Sequence, residues 1–138
     1  MKLFRLLNVI LAFSLCVFVA AAQNQGPQTP EQREKQLMEF VDKEVTRLSE
    51  TLDLEYWQEF YVDSTLTHDY LAMTEEMEKL QKAKVENTDL YVAVQDKWAQ
   101  QIDDTYKRIF TAEQWNKYWK SSGKKAQQAR DKRKEKKK

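Results

Sequence analysis

The sequence predicts an all-α protein, and two observations lead to that class. The 138 residues include only two glycines and two prolines, and none of these four lies between positions 31 and 122. Hairpin turns and phosphate-binding loops depend on such residues, so most α/β enzyme classes are disfavoured. Apolar residues instead recur every three or four positions, which is the period of one helix face. We therefore predict four amphipathic helices, forming a small helical-hairpin bundle or cradle, at about 30–50, 54–84, 88–110 and 112–135.

Ahead of the first helix, residues 1–22 have the features of a secretory signal peptide. Lys2 and Arg5 provide a basic start, an apolar run follows, and three alanines end at Ala22. Cleavage after Ala22 predicts a periplasmic or secreted protein. An uncleaved membrane anchor is the alternative, although the apolar run is shorter than the ~20 residues of a spanning helix. The rest of the chain is predicted to comprise a linker at 23–28, a helical domain at 29–120 and a basic C-terminal tail at 121–138.

The first helix is predicted to begin at a capping box, with Thr29 as N-cap, Pro30 at the first helical position and Gln32 closing the box. Its apolar stripe comprises Leu37, Val41, Val45, Leu48 and Leu52. Asp53 is predicted to cap the second helix. Residues 63–69 are poor helix formers, so we expect a continuous second helix with a weak point there, or alternatively a break.

The third helix follows a loop at 84–88, and its cap is predicted at Asn87 or Thr88. A second capping box then restarts the helical pattern, with Thr111 as N-cap and Gln114 three residues later. This fourth helix is predicted to continue into the basic tail, and fraying after Gly123 is left open.

Charge is segregated along the predicted mature chain. Residues 23–119 contain 11 Lys and Arg against 20 Asp and Glu, a net charge of −9, whereas residues 120–138 contain 10 against 2, a net charge of +8. The basic tail residues that we single out are Lys124, Lys125, Arg130, Lys132, Arg133 and Lys134.

Three interpretations of this tail remain open. It is a solvated helical end, or it packs against its own acidic body or a second copy, or it binds polyanions or makes peripheral contact with anionic lipid. If the tail is an accessory that steers acidic partners, deletion of residues 124–138 should weaken salt-sensitive binding without unfolding the body. Nucleic acid is disfavoured as a partner, because the aromatic residues lie in the acidic body and are not interleaved with the basic ones.

A short pattern occurs at two of the predicted helix starts. Residues 54–58 read LEYWQ and residues 110–114 read FTAEQ, so each has an apolar residue four positions before a glutamine. FTAEQ resembles the LTxxQ signature that occurs twice in the Spy/CpxP family of periplasmic proteins, and LEYWQ has glutamate at the threonine position. The matching residues are Leu54, Gln58, Phe110, Thr111 and Gln114.

The resemblance covers about residues 29–120 and implies a four-helix, cradle-shaped fold that is often a homodimer. It also implies ATP-independent binding of unfolded or partly folded proteins, or regulation of an envelope stress sensor. A client-binding cradle of that family is expected to carry basic residues among apolar ones, whereas the body of this chain is acidic.

Aromatic and methionine residues of the second helix are the candidates for a client-binding surface. Methionine is flexible and polarizable, which suits a surface that binds varied apolar segments. The alternative is that these residues form the core or a dimer seam. The candidates are Trp57, Phe60, Tyr61, Leu66, Tyr70, Met73 and Met77.

No constellation of catalytic residues is recognisable. His68 is the only histidine, whereas zinc and di-iron sites need several ligands, and we expect it at or near the surface. Consecutive carboxylates such as Asp103 and Asp104 point about 100° apart on a helix, so we expect them on solvated faces. We therefore predict no enzyme activity and no cofactor.

The leading hypothesis is an exported helical binding protein, either an ATP-independent chaperone or an envelope-stress adaptor, that captures apolar segments of its clients. The alternative hypothesis is a structural or surface-associated helical bundle whose basic tail binds polyanions or membrane.

Overall fold

The computed structural model describes residues 28–136, which are helical except at short connections and contain no strand. The predicted leader and most of the predicted linker lie outside the described residues. The helices are α1 (Pro30–Leu52), α2 (Tyr56–Lys82), α3 (Thr88–Ile109), α4 (Ala112–Tyr118), a π-helical segment (Trp119–Gly123) and α5 (Lys124–Glu135). The all-α class is confirmed, and the predicted fourth helix corresponds to α4, the π-helical segment and α5 together.

The chain divides after Lys35 into two compact units, and the first contributes only the start of α1 to the described residues. The predicted capping box at this start is confirmed. The Gln32 backbone N–H donates to Thr29 Oγ1 at 3.2 Å, and the Thr29 backbone N–H donates to Gln32 Oε1 at 3.0 Å. These two bonds satisfy N–H groups that a helix start would otherwise leave unpaired.

The predicted cap of α2 is wrong by two residues. Asp53 has a φ of 53°, so it occupies the left-handed region that suits the turn after α1. Glu55 is the N-cap instead, and its backbone N–H donates to Gln58 Oε1 at 2.9 Å. Sequence reasoning chose Asp53 because aspartate is a common N-cap, and the turn geometry decided otherwise.

The helix α2 runs without a break through residues 63–69, as the continuous alternative predicted. Val62, Leu66 and Asp69 are buried on one side of this stretch. Packing of that side therefore outweighs the low helix propensity of the neighbouring polar residues.

The core lies among α1, α2 and α3. Four residues of the predicted α1 stripe are buried, and Val45 packs against them. Burial of such apolar side chains contributes roughly 1.5–3 kcal/mol each, which makes this cluster the main source of stability. Its buried members are Leu37, Val41, Leu48, Leu52, Leu54, Val62, Leu66, Ile102, Tyr106 and Phe110.

The fourth helix does not fray at Gly123, so its predicted extent to about residue 135 is confirmed. The π-helical segment brings Gly123 against the rings of Tyr118 and Trp119, and α5 continues to Glu135. A Cβ atom on Gly123 would lie 2.9 Å from Trp119 Cε3 and 3.1 Å from Tyr118 Cε1. The position therefore needs glycine for this close approach and not for a special φ.

Within residues 28–136, none of the helices combines the length and apolar character that crossing a bilayer requires.

Candidate functional site

The two LTxxQ-like segments meet through their glutamine side chains. Gln58 Nε2 donates to Gln114 Oε1 at 2.7 Å, and Gln114 Nε2 donates to Gln58 Oε1 at 3.0 Å. Both side chains are buried. The starts of α2 and α4 are thereby joined directly, although 56 residues separate the two glutamines.

Each glutamine also forms two hydrogen bonds with the backbone. One is with an N–H group at its own helix start, and the other is with a carbonyl in the chain just before the other helix start. Gln58 Nε2 donates to the carbonyl of Ile109 at 2.9 Å, and Gln114 Nε2 donates to the carbonyl of Asp53 at 3.2 Å. Gln114 Oε1 accepts the Thr111 backbone N–H at 2.9 Å, just as Gln58 Oε1 accepts that of Glu55. The two halves of the junction are therefore equivalent by an approximate two-fold relation.

The five motif residues have a structural role in this junction. Leu54 and Phe110, the apolar residues at the start of each segment, are both in the core. Thr111 Oγ1 accepts the Gln114 backbone N–H at 3.2 Å, so the predicted capping box of the fourth helix is confirmed. The junction fixes where α2 and α4 begin, and its two buried amides make all of their hydrogen bonds within it.

The candidate client-binding residues divide onto two sides of α2. At 100° per residue, Leu66, Tyr70, Met73 and Met77 are centred about 160° from Trp57, Phe60 and Tyr61. Leu66 is only 2% exposed and belongs to the core, so it is not accessible to a client in this structure. The seven candidates therefore lie on two faces with different surroundings.

The first set lines the inner side of α2. Tyr70 packs edge-on against Phe40 with ring centroids 5.2 Å apart, and burial raises the pKa of its hydroxyl to about 12. Met73 and Met77 are half-buried. Tyr70, Met73 and Met77 therefore fit the alternative interpretation, in which these residues contribute to packing and not to client binding.

The second set forms an exposed aromatic surface at the start of α2. Trp57, Phe60 and Tyr61 are 47%, 62% and 51% exposed, and Tyr56 beside them is 87% exposed. The Tyr61 ring lies 6.1 Å from the Trp57 ring and 5.8 Å from the Phe60 ring, both edge-on. We use the term aromatic surface for Tyr56, Trp57, Phe60 and Tyr61.

Sequence reasoning missed Tyr56 as a member of this surface. Its signal was present, since positions 56, 57, 60 and 61 lie on one side of a helix. Four aromatic side chains in contact with solvent are unusual, because aromatic residues contribute most when they are buried. Such exposed apolar patches mark interaction sites.

The basic tail is partly buried in the body. Arg130 is 3% exposed, and its guanidinium forms an ion pair with the Asp103 carboxylate of α3, which also accepts the Tyr118 hydroxyl. Burial and the Asp103 charge raise the pKa of Tyr118. The expectation that Asp103 lies on a solvated face is therefore wrong, because Arg130 of the tail covers it; Asp104 is exposed.

A second ion pair joins α5 to α3 at the surface. Arg133 donates to both carboxylate oxygens of Asp96, at 2.8 and 2.6 Å. The other singled-out tail residues, Lys124, Lys125, Lys132 and Lys134, are exposed and form no ion pair within residues 28–136. The interpretation in which the tail packs against its own body is thus confirmed for the two arginines, and the lysines stay available at the surface.

An open polar groove of about 300 Å³ lies beside His68, Asp69 and Gln101. His68 Nδ1 lies 2.8 Å from Asp69 Oδ1, and the same oxygen accepts Gln101 Nε2 at 3.0 Å. Ser64 lines the groove, but no hydrogen bond joins it to His68 among the described residues. In the same part of the chain, no group of three or more His, Cys, Asp or Glu residues is arranged to hold a metal ion.

No protein-family model matches the chain, and neither a curated protein nor a solved structure is significantly similar to it. The resemblance to the Spy/CpxP family therefore rests on the motif residues alone and stays a prediction. The fold and the surface define a small all-α protein with an exposed aromatic surface.

Proposed function

We propose that this chain is an exported helical binding protein that captures apolar segments of unfolded or partly folded proteins on the aromatic surface, without ATP. The observation that carries the proposal is the exposure of four aromatic side chains on the first turns of α2. Packing an apolar segment on these rings would remove area from water, at roughly 25 cal/mol per Å². The junction below the surface holds its helix start in place.

Several parts of this proposal rest on the sequence. Export to the periplasm follows from the predicted leader, and a role in envelope stress, as a chaperone or as an adaptor of a sensor, follows from the resemblance. A homodimer belongs to the same resemblance. The geometry of the aromatic surface supports the binding role most directly.

The test is a light-scattering assay of client aggregation with a thermally unfolded model enzyme and no nucleotide. We expect suppression near equimolar protein, and loss of suppression in the double variant Trp57→Ser and Phe60→Ser. Circular dichroism should show that this variant keeps its helical content, because both residues are exposed.

A matched control removes two exposed apolar side chains elsewhere. Met38→Ser with Leu90→Ser fits this need, since both residues are more than a third exposed and lie outside the aromatic surface. The control should retain suppression. Full suppression by the aromatic variant would reject the aromatic surface as the client site.

The alternative function, binding of polyanions by the basic tail, is favoured by the exposed lysines of α5, which form no ion pair in the described part of the chain. Its test is binding to heparin or to vesicles containing phosphatidylserine. Replacing Lys124, Lys125, Lys132 and Lys134 with glutamine should abolish this binding while leaving aggregation suppression unchanged.

A further inference from the structure

The aromatic surface lies on the most acidic stretch of the chain. Between Arg47 and Lys79 there is no Lys or Arg, whereas the same residues include nine Asp and Glu. This stretch covers nearly all of α2. The aromatic surface therefore lies in a region of negative electrostatic potential, and no positively charged residue nearby in the sequence compensates for it.

Three carboxylates flank the aromatic surface at the start of α2, and one of them, Glu55, contacts a ring directly. Glu55 caps α2, and Glu59 and Asp63 follow it at intervals of four residues, which places the three in a row along one side of the helix start. We call these three residues the acidic row. The Glu55 carboxylate accepts Trp57 Nε1 at 2.7 Å, and the Glu59 carboxylate accepts the Ser49 hydroxyl. Both donors are uncharged.

The acidic row is not neutralised within the described part of the chain. None of its three members takes part in an ion pair there. Some carboxylates elsewhere do have cationic partners, such as Glu76 with Lys97 and Asp96 with Arg133. The negative charge beside the rings is thus available to a partner.

We infer that the aromatic surface selects segments in which Lys or Arg alternates with apolar side chains. The apolar side chains would pack on the four rings, and the cations would pair with the acidic row or lie over a ring face. This inference rests on the proposed function and names the class of segment that the same surface binds.

The same charges argue against two other occupants. An anionic bilayer would be repelled by the acidic row, since like charges at an interface are unfavourable. A second copy docking through the same surface would bring two acidic rows together. The basic tail of a second copy has the right charge but offers only Ala126 and Ala129 as apolar residues between 124 and 138, too little to cover the rings.

The inference is tested with three fluorescent peptides that share one leucine pattern and differ only in the intervening residues, which are lysine, glutamine or glutamate. Fluorescence anisotropy of each peptide gives its Kd for the purified protein. We expect the lysine peptide to bind about tenfold more tightly than the glutamine peptide, the scale of two or three exposed ion pairs. The glutamate peptide should bind most weakly. Adding 0.5 M salt should reduce the differences.

A double variant assigns the selectivity to the acidic row. Glu59→Gln with Asp63→Asn leaves all four rings in place and should lower the affinity for the lysine peptide to that of the glutamine peptide. The matched control is Glu75→Gln with Asp104→Asn, which removes the same charge from exposed positions without an ion pair. Glu75 lies about 18 Å from Asp63 along α2 at 1.5 Å per residue, so the control should keep the selectivity.

The outcomes separate this inference from the proposed function. Equal binding of the lysine and glutamine peptides would overturn the inference and leave the proposed function intact. Binding of none of the three, together with no suppression of aggregation, would overturn both. Self-association that the lysine peptide competes away, and that is lost when the tail lysines are replaced, would assign the surface to a second copy and overturn the inference.

Discussion

Gln58 and Gln114 form a reciprocal amide pair in which each side chain both donates to and accepts from the other. Each amide also donates to the backbone carbonyl five residues before its partner, at Ile109 and Asp53. All the polar groups of two buried amides are thereby paired, as burial requires. The pair makes the start of one helix depend on the start of another.

This pairing predicts a strong dependence of stability on both glutamines. Gln58→Ala and Gln114→Ala should each lower the free energy of unfolding by about 1–3 kcal/mol, because each leaves buried polar groups without partners. The double variant should lose less free energy of unfolding than the two single variants together, since the two residues share hydrogen bonds. Urea denaturation measures all three. Gln128→Ala, at an exposed position of α5, should have little effect, and an equal loss there would contradict the role of the pair.

The cap of the fourth helix predicts a smaller effect. Thr111→Ala removes the acceptor of the Gln114 backbone N–H and should cost about 0.5–2 kcal/mol. Thr111→Ser keeps a hydroxyl and should recover most of this loss. Thr67→Ala, in the middle of α2, should do less than Thr111→Ala in thermal unfolding; equal effects would mean that the hydroxyl contributes nothing as a cap.

The buried ion pair predicts that the tail is required for stability. Arg130→Met would leave the Asp103 carboxylate buried without its cation, which typically costs about 3–5 kcal/mol. Deletion of residues 124–138 should destabilise the body for the same reason, contrary to the expectation from the sequence. Arg133→Met should cost no more than about 1 kcal/mol, because its pair with Asp96 is at the surface. Chemical denaturation measures the free energy of unfolding of the three variants. An unchanged value for the deletion variant would contradict this role of Arg130.

The buried tyrosines predict a loss of stability at alkaline pH. Burial raises the pKa of Tyr70 to about 12 and also raises the pKa of Tyr106 and Tyr118. An unfolded tyrosine titrates near 10, so above that pH the folded state holds protons that the unfolded chain has released. The free energy of unfolding should therefore fall as pH rises from about 10 towards 12.

Urea denaturation between pH 8 and 11 measures this slope. Tyr70→Phe removes one of the titrating groups and should make the fall shallower, whereas Tyr56→Phe, at an exposed ring, should leave it unchanged. Identical slopes for the Tyr70 variant and the unaltered protein would contradict the assignment.

The close approach at Gly123 predicts an unusual response to alanine. In an ordinary helix Gly→Ala stabilises by roughly 1 kcal/mol. Here the added Cβ would lie 2.9 Å from Trp119 Cε3, and overpacking of this kind costs about 1–3 kcal/mol. Gly123→Ala should therefore lower the thermal midpoint, while Ser121→Ala at a neighbouring exposed position should change it little. A raised midpoint in the Gly123 variant would show that the rings move aside without cost.

Much of the local structure could be predicted from the sequence. The helical period of the apolar residues, the absence of internal Gly and Pro, and the capping boxes at Thr29 and Thr111 are properties of short segments, and the structure agrees with them. The repeat of an apolar residue and a glutamine also pointed to the right positions. These features depend on neighbours in the chain, so their physical basis is local.

Other features were decided by the tertiary structure. The sequence alone does not reveal that Gln58 and Gln114 bond to each other, that Arg130 covers Asp103, or that the Leu66 side of α2 is buried while its Trp57 side meets solvent. Each of these depends on which groups become buried together. A carboxylate on a helix has the same local pattern whether it meets water or an arginine from another helix, and only the packing of the helices makes that choice.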